Sequence, residues 1–229
     1  MIIELENIFK SYWNNSDSPH RDVIKGISLI INAKDSIAVV GSSGCGKSTL
    51  LNLIGTLDKP SSGIVKFDNE DISSLNDSNL AEIRNRKIGF VFQLHHLLPQ
   101  LNLLENVLLP TLVIKDKKLR LSARSRAMDL LKTVGLEEKI KQFPGQLSGG
   151  ECQRTAVVRA LINEPDIILA DEPGGSLDQE SAEQIGNLLS KINKEQNVAL
   201  VIVTHSMELA NKMHILYMLN NGKLEKYRI

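Results

Sequence analysis

Lys47 and Ser48 stand at the end of a Gly41-Ser42-Ser43-Gly44-Cys45-Gly46-Lys47-Ser48-Thr49 run, which satisfies the spacing G-x-x-x-x-G-K-[ST]. In that pattern glycines let backbone N–H groups turn inward around β- and γ-phosphate oxygens, and a following helix adds the positive end of its dipole. Lys47 should reach the β/γ-phosphates and Ser48 should ligate Mg²⁺. Further on, Asp171 and Glu172 end the apolar run Ile167-Ile168-Leu169-Ala170. At the C-terminal edge of an open α/β sheet, that places both carboxylates beside the phosphate loop. Asp171 suits Mg²⁺ through water, and Glu172 suits a general base that orients and deprotonates an attacking water. His205 follows a strand ending at Thr204, where a side chain is placed to sense or stabilise a γ-phosphate. Gln93, after Gly89-Phe90-Val91-Phe92, is a candidate for contact with Mg²⁺ or its water, and Tyr12 offers an aromatic face for adenine.

A third motif does not belong to the same place. Leu147-Ser148-Gly149-Gly150-Glu151 precedes a helix and offers a second anion-binding helix N-terminus, roughly 100 residues from the first. Carried on a helical region of its own, it should not reach the phosphate loop of its own chain. A chain that carries both halves of a site too far apart to meet within itself is expected to act as a pair.

The elements that must hold these residues alternate between β-branched runs and helical patterns, as in an α/β fold with a largely parallel sheet. Residues 36–40 read as a buried strand running into the Gly-rich loop, and residues 49–57 as the helix after it. Residues 166–170 and 199–204 are continuous apolar runs, expected of strands covered on both faces, with a crossover helix over residues 179–193. Residues 2–9, 27–31 and 63–67 look like antiparallel edge strands, and a hairpin is expected around Asn220-Asn221-Gly222. Strand signals vanish over residues 94–161, where residues 103–109 and 122–134 read as helices. One domain is expected, with residues 1–93 and 162–229 as core and about 94–161 as an inserted helical subdomain. The polar stretch from Tyr12 to Asp22 reads as a surface loop.

Composition narrows the partners. The 229 residues carry 27 basic and 27 acidic side chains, which leaves no overall basic footprint for nucleic acid. Cys45 and Cys152 make no disulfide framework and point to a reducing compartment. No window approaches the ~18 uninterrupted apolar residues of a membrane span, and the first residues lack the pattern of a secretory signal. Any membrane role is expected to come through a partner.

Taken together, these residues resemble the ABC transporter ATPase family across essentially the whole chain. Its Walker A motif is similar to Gly41–Thr49, its Q-loop glutamine to Gln93 and its signature to Leu147–Glu151. Its Walker B resembles Ile167–Glu172, its D-loop Ser176-Leu177-Asp178 and its switch histidine His205, while Tyr12 matches the aromatic that stacks on adenine. The resemblance implies a head-to-tail homodimer around two ATP, with Lys47 and Glu172 of one copy facing Ser148 and Gly150 of the other. It implies integral membrane permease subunits docking near Gln93–Pro110, and a peripheral place on the cytoplasmic face of the inner membrane. The text Gly89–Pro99, with Leu104-Glu105-Asn106-Val107 and Pro110, is similar to the subgroup that releases lipoproteins from the inner membrane; cell-division and macrolide-efflux ATPases share much of it. Two departures stand out: Gly174-Gly175-Ser176 replaces the usual Thr-Gly-Asn before Leu-Asp, and Cys152 replaces Arg or Gln. The first bears on turnover and on coupling between sites.

Other classes fit less well. A soluble ABC-type ATPase acting on DNA or ribosomes would bring long coiled-coil insertions or a second such domain. A GTPase would bring Asn-Lys-x-Asp, and Asn211-Lys212-Met213-His214 lacks the carboxylate. A non-hydrolysing regulatory subunit is at odds with Lys47, Glu172 and His205 all being present.

Overall fold

The computed structural model describes residues 1–12 and 21–227, apart from the side chains of Lys117 and Leu119. In chain order the elements are β1 (Ile3–Tyr12), β2 (Arg21–Ile31), β3 (Ser36–Val40), α1 (Lys47–Ile54), β4 (Ser62–Phe67), β5 (Glu70–Asp71), α2 (Asp77–Lys87) and β6 (Ile88–Val91). They continue with α3 (Leu103–Leu108), α4 (Lys117–Thr133), α5 (Gly149–Leu161), β7 (Ile167–Asp171), α6 (Gln179–Gln196), β8 (Ala199–Thr204), α7 (Met207–Ala210), β9 (Ile215–Asn220) and β10 (Lys223–Lys226).

Among the described residues the strands form two sheets. One is antiparallel with the order β2-β1-β4-β5; the other runs β10-β9-β3-β8-β7-β6, parallel except for β10. Residues of β3 and β8 are buried throughout, which is why both are unbroken apolar runs. Helix α1 lies between the two sheets, where Leu50, Leu51, Leu53 and Ile54 pack with Leu5, Ile8 and Ile24. The opposite face of the parallel sheet is covered by α5, α6 and α7 through residues such as Leu161, Ile185, Leu189 and Leu209.

A smaller apolar cluster joins Leu103, Val107, Ala127, Leu131 and Leu136. Helix α5 serves it as well as the sheet. Val157 and Leu161 face the sheet, while Val158 and Ile162, one position on, face this cluster. A four-residue spacing keeps each pair on its own side of the helix. The signature motif is thereby mounted on a helix wedged between both parts.

Several boundaries differ from expectation. Helix α1 begins at Lys47 rather than residue 49, because Gly46 at φ 107° provides a left-handed entry and its carbonyl accepts from Leu50 N–H at 2.8 Å. A Cβ there would also lie 2.8 Å from Val23 Cγ1. The loop expected from Tyr12 to Asp22 is shorter at both ends: Tyr12 pairs with Arg21 and Ser11 with Asp22 in the β1–β2 ladder, and residues 13–20 lie outside the described residues. Helix α4 starts at Lys117 rather than residue 122, with the Asp116 side chain accepting from Lys118 N–H at 2.8 Å. Helix α2 was not expected at all. Leu80 is its one buried residue, so it carries almost no apolar stripe, and Asn76 caps it by accepting from Asn79 N–H at 2.9 Å. The terminal hairpin turns through Asn221 and Gly222, both at positive φ, as its sequence required.

Candidate active site

Parallel pairing of β3, β8 and β7 brings three strand ends to one edge of the sheet. The Gly-rich loop follows β3, Glu172 follows β7 and His205 follows β8, so all three open on the same side. Between them lies a cleft of about 810 Å³ lined by Tyr12, Arg21, Val23, Ser43, Gly44, Gly46, Lys47, Ser48, Thr49, Gln93, Asp171, Glu172 and His205. Sequence reasoning missed Arg21 and Val23. They lie on an antiparallel strand whose partnership with the loop leaves no trace in the motif text.

Lys47 is 8% exposed, and its Nζ donates to the carbonyls of Gly41 at 2.9 Å and Ser42 at 3.1 Å. The loop thus holds its own cation folded over its amides, ready for an anion of matching size. Ser42 and Cys45 face a smaller neighbouring hollow beside Asn220, Asn221 and Gly222. Tyr12 is pinned: its hydroxyl donates to Asp58 Oδ2 at 2.7 Å, and Lys10 lies 4.9 Å over the ring while bonding Asp58 at 2.6 Å. Burial, then the Asp58 carboxylate, pushes the Tyr12 hydroxyl pKa upward.

Glu172 occupies the left-handed region, at φ 44°. A non-glycine residue there costs of order 1 kcal/mol and is over-represented at functional sites. Its N–H still donates to Val203 O at 2.9 Å, extending the β7–β8 ladder by one bond while the chain turns away. The carboxylate is fully engaged: Oε2 accepts from the Thr204 hydroxyl at 2.9 Å and the His205 N–H at 3.3 Å, and Oε1 lies 2.9 Å from His205 Nδ1. With the carboxylate as acceptor, Nδ1 carries the proton. The imidazole is otherwise open to solvent, 70% exposed.

Asp171 is partly buried, and its pKa is raised, first by desolvation and then by neighbouring Glu172; Ser48, which hydrogen-bonds it, and Lys47 work in the opposite direction. A carboxyl whose pKa is raised on folding is more easily protonated in the folded chain than in the unfolded one. Its ionisation therefore weakens folding as pH rises through and above the ordinary carboxylate range. Asp171→Asn should raise the nucleotide-free unfolding midpoint at pH 7.5, with the gain shrinking as pH falls toward 4. Thermal melts of both proteins across that range check this; an unchanged midpoint at pH 7.5 refutes it. The oxygen donors of Ser48 and Asp171 are of the kind a Mg²⁺ bound mainly through substrate phosphates requires. Among the described residues no separate cluster of three His, Cys, Asp or Glu could hold a metal.

Ser148, Gly149, Gly150 and Glu151 do not line the cleft. They form the start of α5, with a reciprocal cap in which Ser148 Oγ accepts from Glu151 N–H at 3.2 Å and Glu151 Oε2 from Ser148 N–H at 2.9 Å. Lys139 pairs with Glu151 and, with the Ser148 N–H, holds its pKa below the ordinary range. Asp178 is also outside the cleft, capping α6 by accepting from Ser181 N–H at 2.9 Å.

A family model described as "ABC transporter" matches residues 24–175. The chain belongs to that family. Curated relatives of this ABC chain named "Lipoprotein-releasing system ATP-binding protein LolD" include one from Geobacter metallireducens, 45% identical over 97% of both chains. Another, from Legionella pneumophila, is 42% identical over 98% of this chain and 97% of its own. Among solved structures, the ATP-binding cassette MJ0796, in a dimeric post-hydrolysis state bound to ADP and Pi, is 40% identical with a TM-score of 0.86 over the whole of both chains. The ABC chain described here is accordingly an ATP-binding cassette that hydrolyses ATP. Among the described residues, no helix is long and apolar enough to cross a membrane.

Proposed function

We propose that this ATPase is the motor subunit of a membrane complex that releases lipoproteins from the bacterial inner membrane toward the outer membrane. The observation that carries this reading is the full-length similarity to relatives named for that system, at 41–45% identity. The chain would act as a homodimer, since the cleft lacks the Ser148–Glu151 motif that could cover the γ-phosphate. Two solved neighbours described as dimeric, similar over their whole length, support a pair. Facing copies would set Ser148, Gly149, Gly150 and Glu151, with Asp178 nearby, against the partner's Gly-rich loop, where α5 presents free N–H groups and a positive dipole end. In this reading residues 1–93 and 162–229 form the core, and 94–161 carry the signature.

The mechanism follows from the side chains. Adenine stacks on the Tyr12 face not covered by Lys10. Residues 41–49 wrap the phosphates, with Lys47 shifting its donation from the Gly41 and Ser42 carbonyls to phosphate oxygens. Ser48, Asp171 and Gln93 would hold Mg²⁺, which supplies charge neutralisation at the β- and γ-phosphates. Glu172 accepts the proton of the attacking water while the Thr204 hydroxyl steadies its other oxygen. His205, leaving Glu172, donates to the γ-phosphate as charge builds there. The subunit would sit peripherally at the cytoplasmic face of the membrane, with permease subunits docking near Gln93–Pro110.

Affinity purification of Glu172→Gln protein from detergent-solubilised membranes in ATP and Mg²⁺ tests the assignment. Co-purifying integral proteins with few spans and a large periplasmic domain, able with this subunit to release lipoprotein from liposomes, are the expected result. Recovery of soluble proteins or nucleic acid alone would overturn it.

A further inference from the structure

Side chains from distant parts of the chain hold four main-chain carbonyls in the segment after β6. Gln153 on α5 donates to the Phe92 carbonyl at 2.8 Å, and Arg159 on the same helix donates to those of His95 at 2.6 Å and His96 at 2.7 Å. The carbonyl of Gln93 itself accepts from the Ser176 hydroxyl at 2.9 Å. Three of these bonds tie the segment to the signature helix. The fourth ties Gln93 to the loop that begins at Glu172.

That loop is a tight turn, in which Gly175 N–H donates to Glu172 O at 2.9 Å and Leu177 N–H to Gly174 O at 3.1 Å. It lies directly against Gln93. A Cβ on Gly175 would sit 3.1 Å from Gln93 Nε2 and 3.3 Å from Glu172 Cβ, closer than an ordinary packing contact. Gly175, which matches the usual glycine of this turn, lets it approach the Gln93 amide; the departure at Ser176 supplies the hydroxyl that anchors the Gln93 main chain.

We propose that Ser176 is a positioning residue for ATP hydrolysis, fixing the Gln93 main chain so that the Gln93 amide keeps its place in the cleft beside Glu172. The role rests on the reading of Gln93 as a residue acting at Mg²⁺ or its water. Small displacements of such a group cost turnover rather than ground-state binding, because the geometry matters most in the transition state. Ser176 is not among the residues that line the cleft, so nucleotide affinity should be nearly unchanged.

The test is steady-state ATPase kinetics on Ser176→Ala, Ser176→Thr, Gln93→Ala and the Gln93→Ala/Ser176→Ala double variant, with unfolding midpoints alongside. The expected result is a kcat about fivefold to tenfold lower for Ser176→Ala, the scale of one neutral hydrogen bond, at an unchanged KM and midpoint. Ser176→Thr, which keeps the hydroxyl, should restore most of kcat, and the double variant should be no slower than Gln93→Ala. An unchanged kcat for Ser176→Ala, a loss that Thr does not rescue, or a full further loss in the Gln93→Ala background would overturn the proposal. Turnover of Gln93→Ala at the parent rate would instead remove the Gln93 reading and the Ser176 role with it, so the two failures are separable.

Discussion

Glu172→Gln should lower ATP turnover by about a thousandfold, within the range that loss of a general base costs, while leaving nucleotide binding intact. The substitution is nearly isosteric, so it spares the packing. The amide oxygen can still accept from the Thr204 hydroxyl, which lies 2.9 Å from Oε2 in the parent. What disappears is the cleft-lining carboxylate that is free of Ser48, to which the proposed mechanism assigns the proton of the attacking water. With hydrolysis blocked and ATP held, a dimer should accumulate at twice the monomer mass in gel filtration with ATP and Mg²⁺. Phosphate-release assays give the rate directly, and parent-level turnover would remove Glu172 from its assigned role.

The second large effect is at Lys47, where Ala should reduce ATP affinity about a hundredfold, about 3 kcal/mol, and turnover by about a thousandfold, about 4 kcal/mol more, so that about 7 kcal/mol of transition-state binding is lost in all. The reason lies in the loop itself. The ammonium is buried against the Gly41 and Ser42 carbonyls. Without it, the mouth of the loop presents two unpaired carbonyl oxygens to an incoming polyanion, and the attraction of the α1 dipole is opposed at close range. Stability of the nucleotide-free chain should change far less than binding, because the same carbonyls can take up water. Titration with a fluorescent nucleotide and a thermal melt separate the two; near-parent affinity would show that the backbone amides alone carry the phosphates.

Asp171 contrasts with both: burial raises its pKa, so its ionised form is expected to cost stability in the empty chain, and in the proposed mechanism that charge is put to use at a bound cation. The site is thus held in readiness at some expense to the fold. Positive φ at Glu172 belongs to the same pattern, local strain retained where geometry serves chemistry.

Sequence by itself determined the phosphate loop and the carboxylates, because each depends on neighbours in the chain. A buried strand, a glycine-rich turn and a helix start are contiguous over residues 36–54, so Lys47 and Ser48 were legible from spacing. Continuous apolar runs likewise announced β7 and β8, and the residues ending them could be named. The polar α2 was not legible, since a helix that buries Leu80 alone carries too little apolar periodicity. Only the tertiary structure decided what surrounds the reacting groups. The pairing of Asp171 with Val203 brings Thr204 and His205 to Glu172, across 32 and 33 positions of sequence. Ser176 on Gln93, and Gln153 and Arg159 on the carbonyls beside it, span 61 to 83 positions. Their acceptors are main-chain oxygens, which every residue type presents alike. A side-chain pattern therefore carries no mark of which carbonyl it will meet, and parallel strand register and the seating of α5 had to settle it.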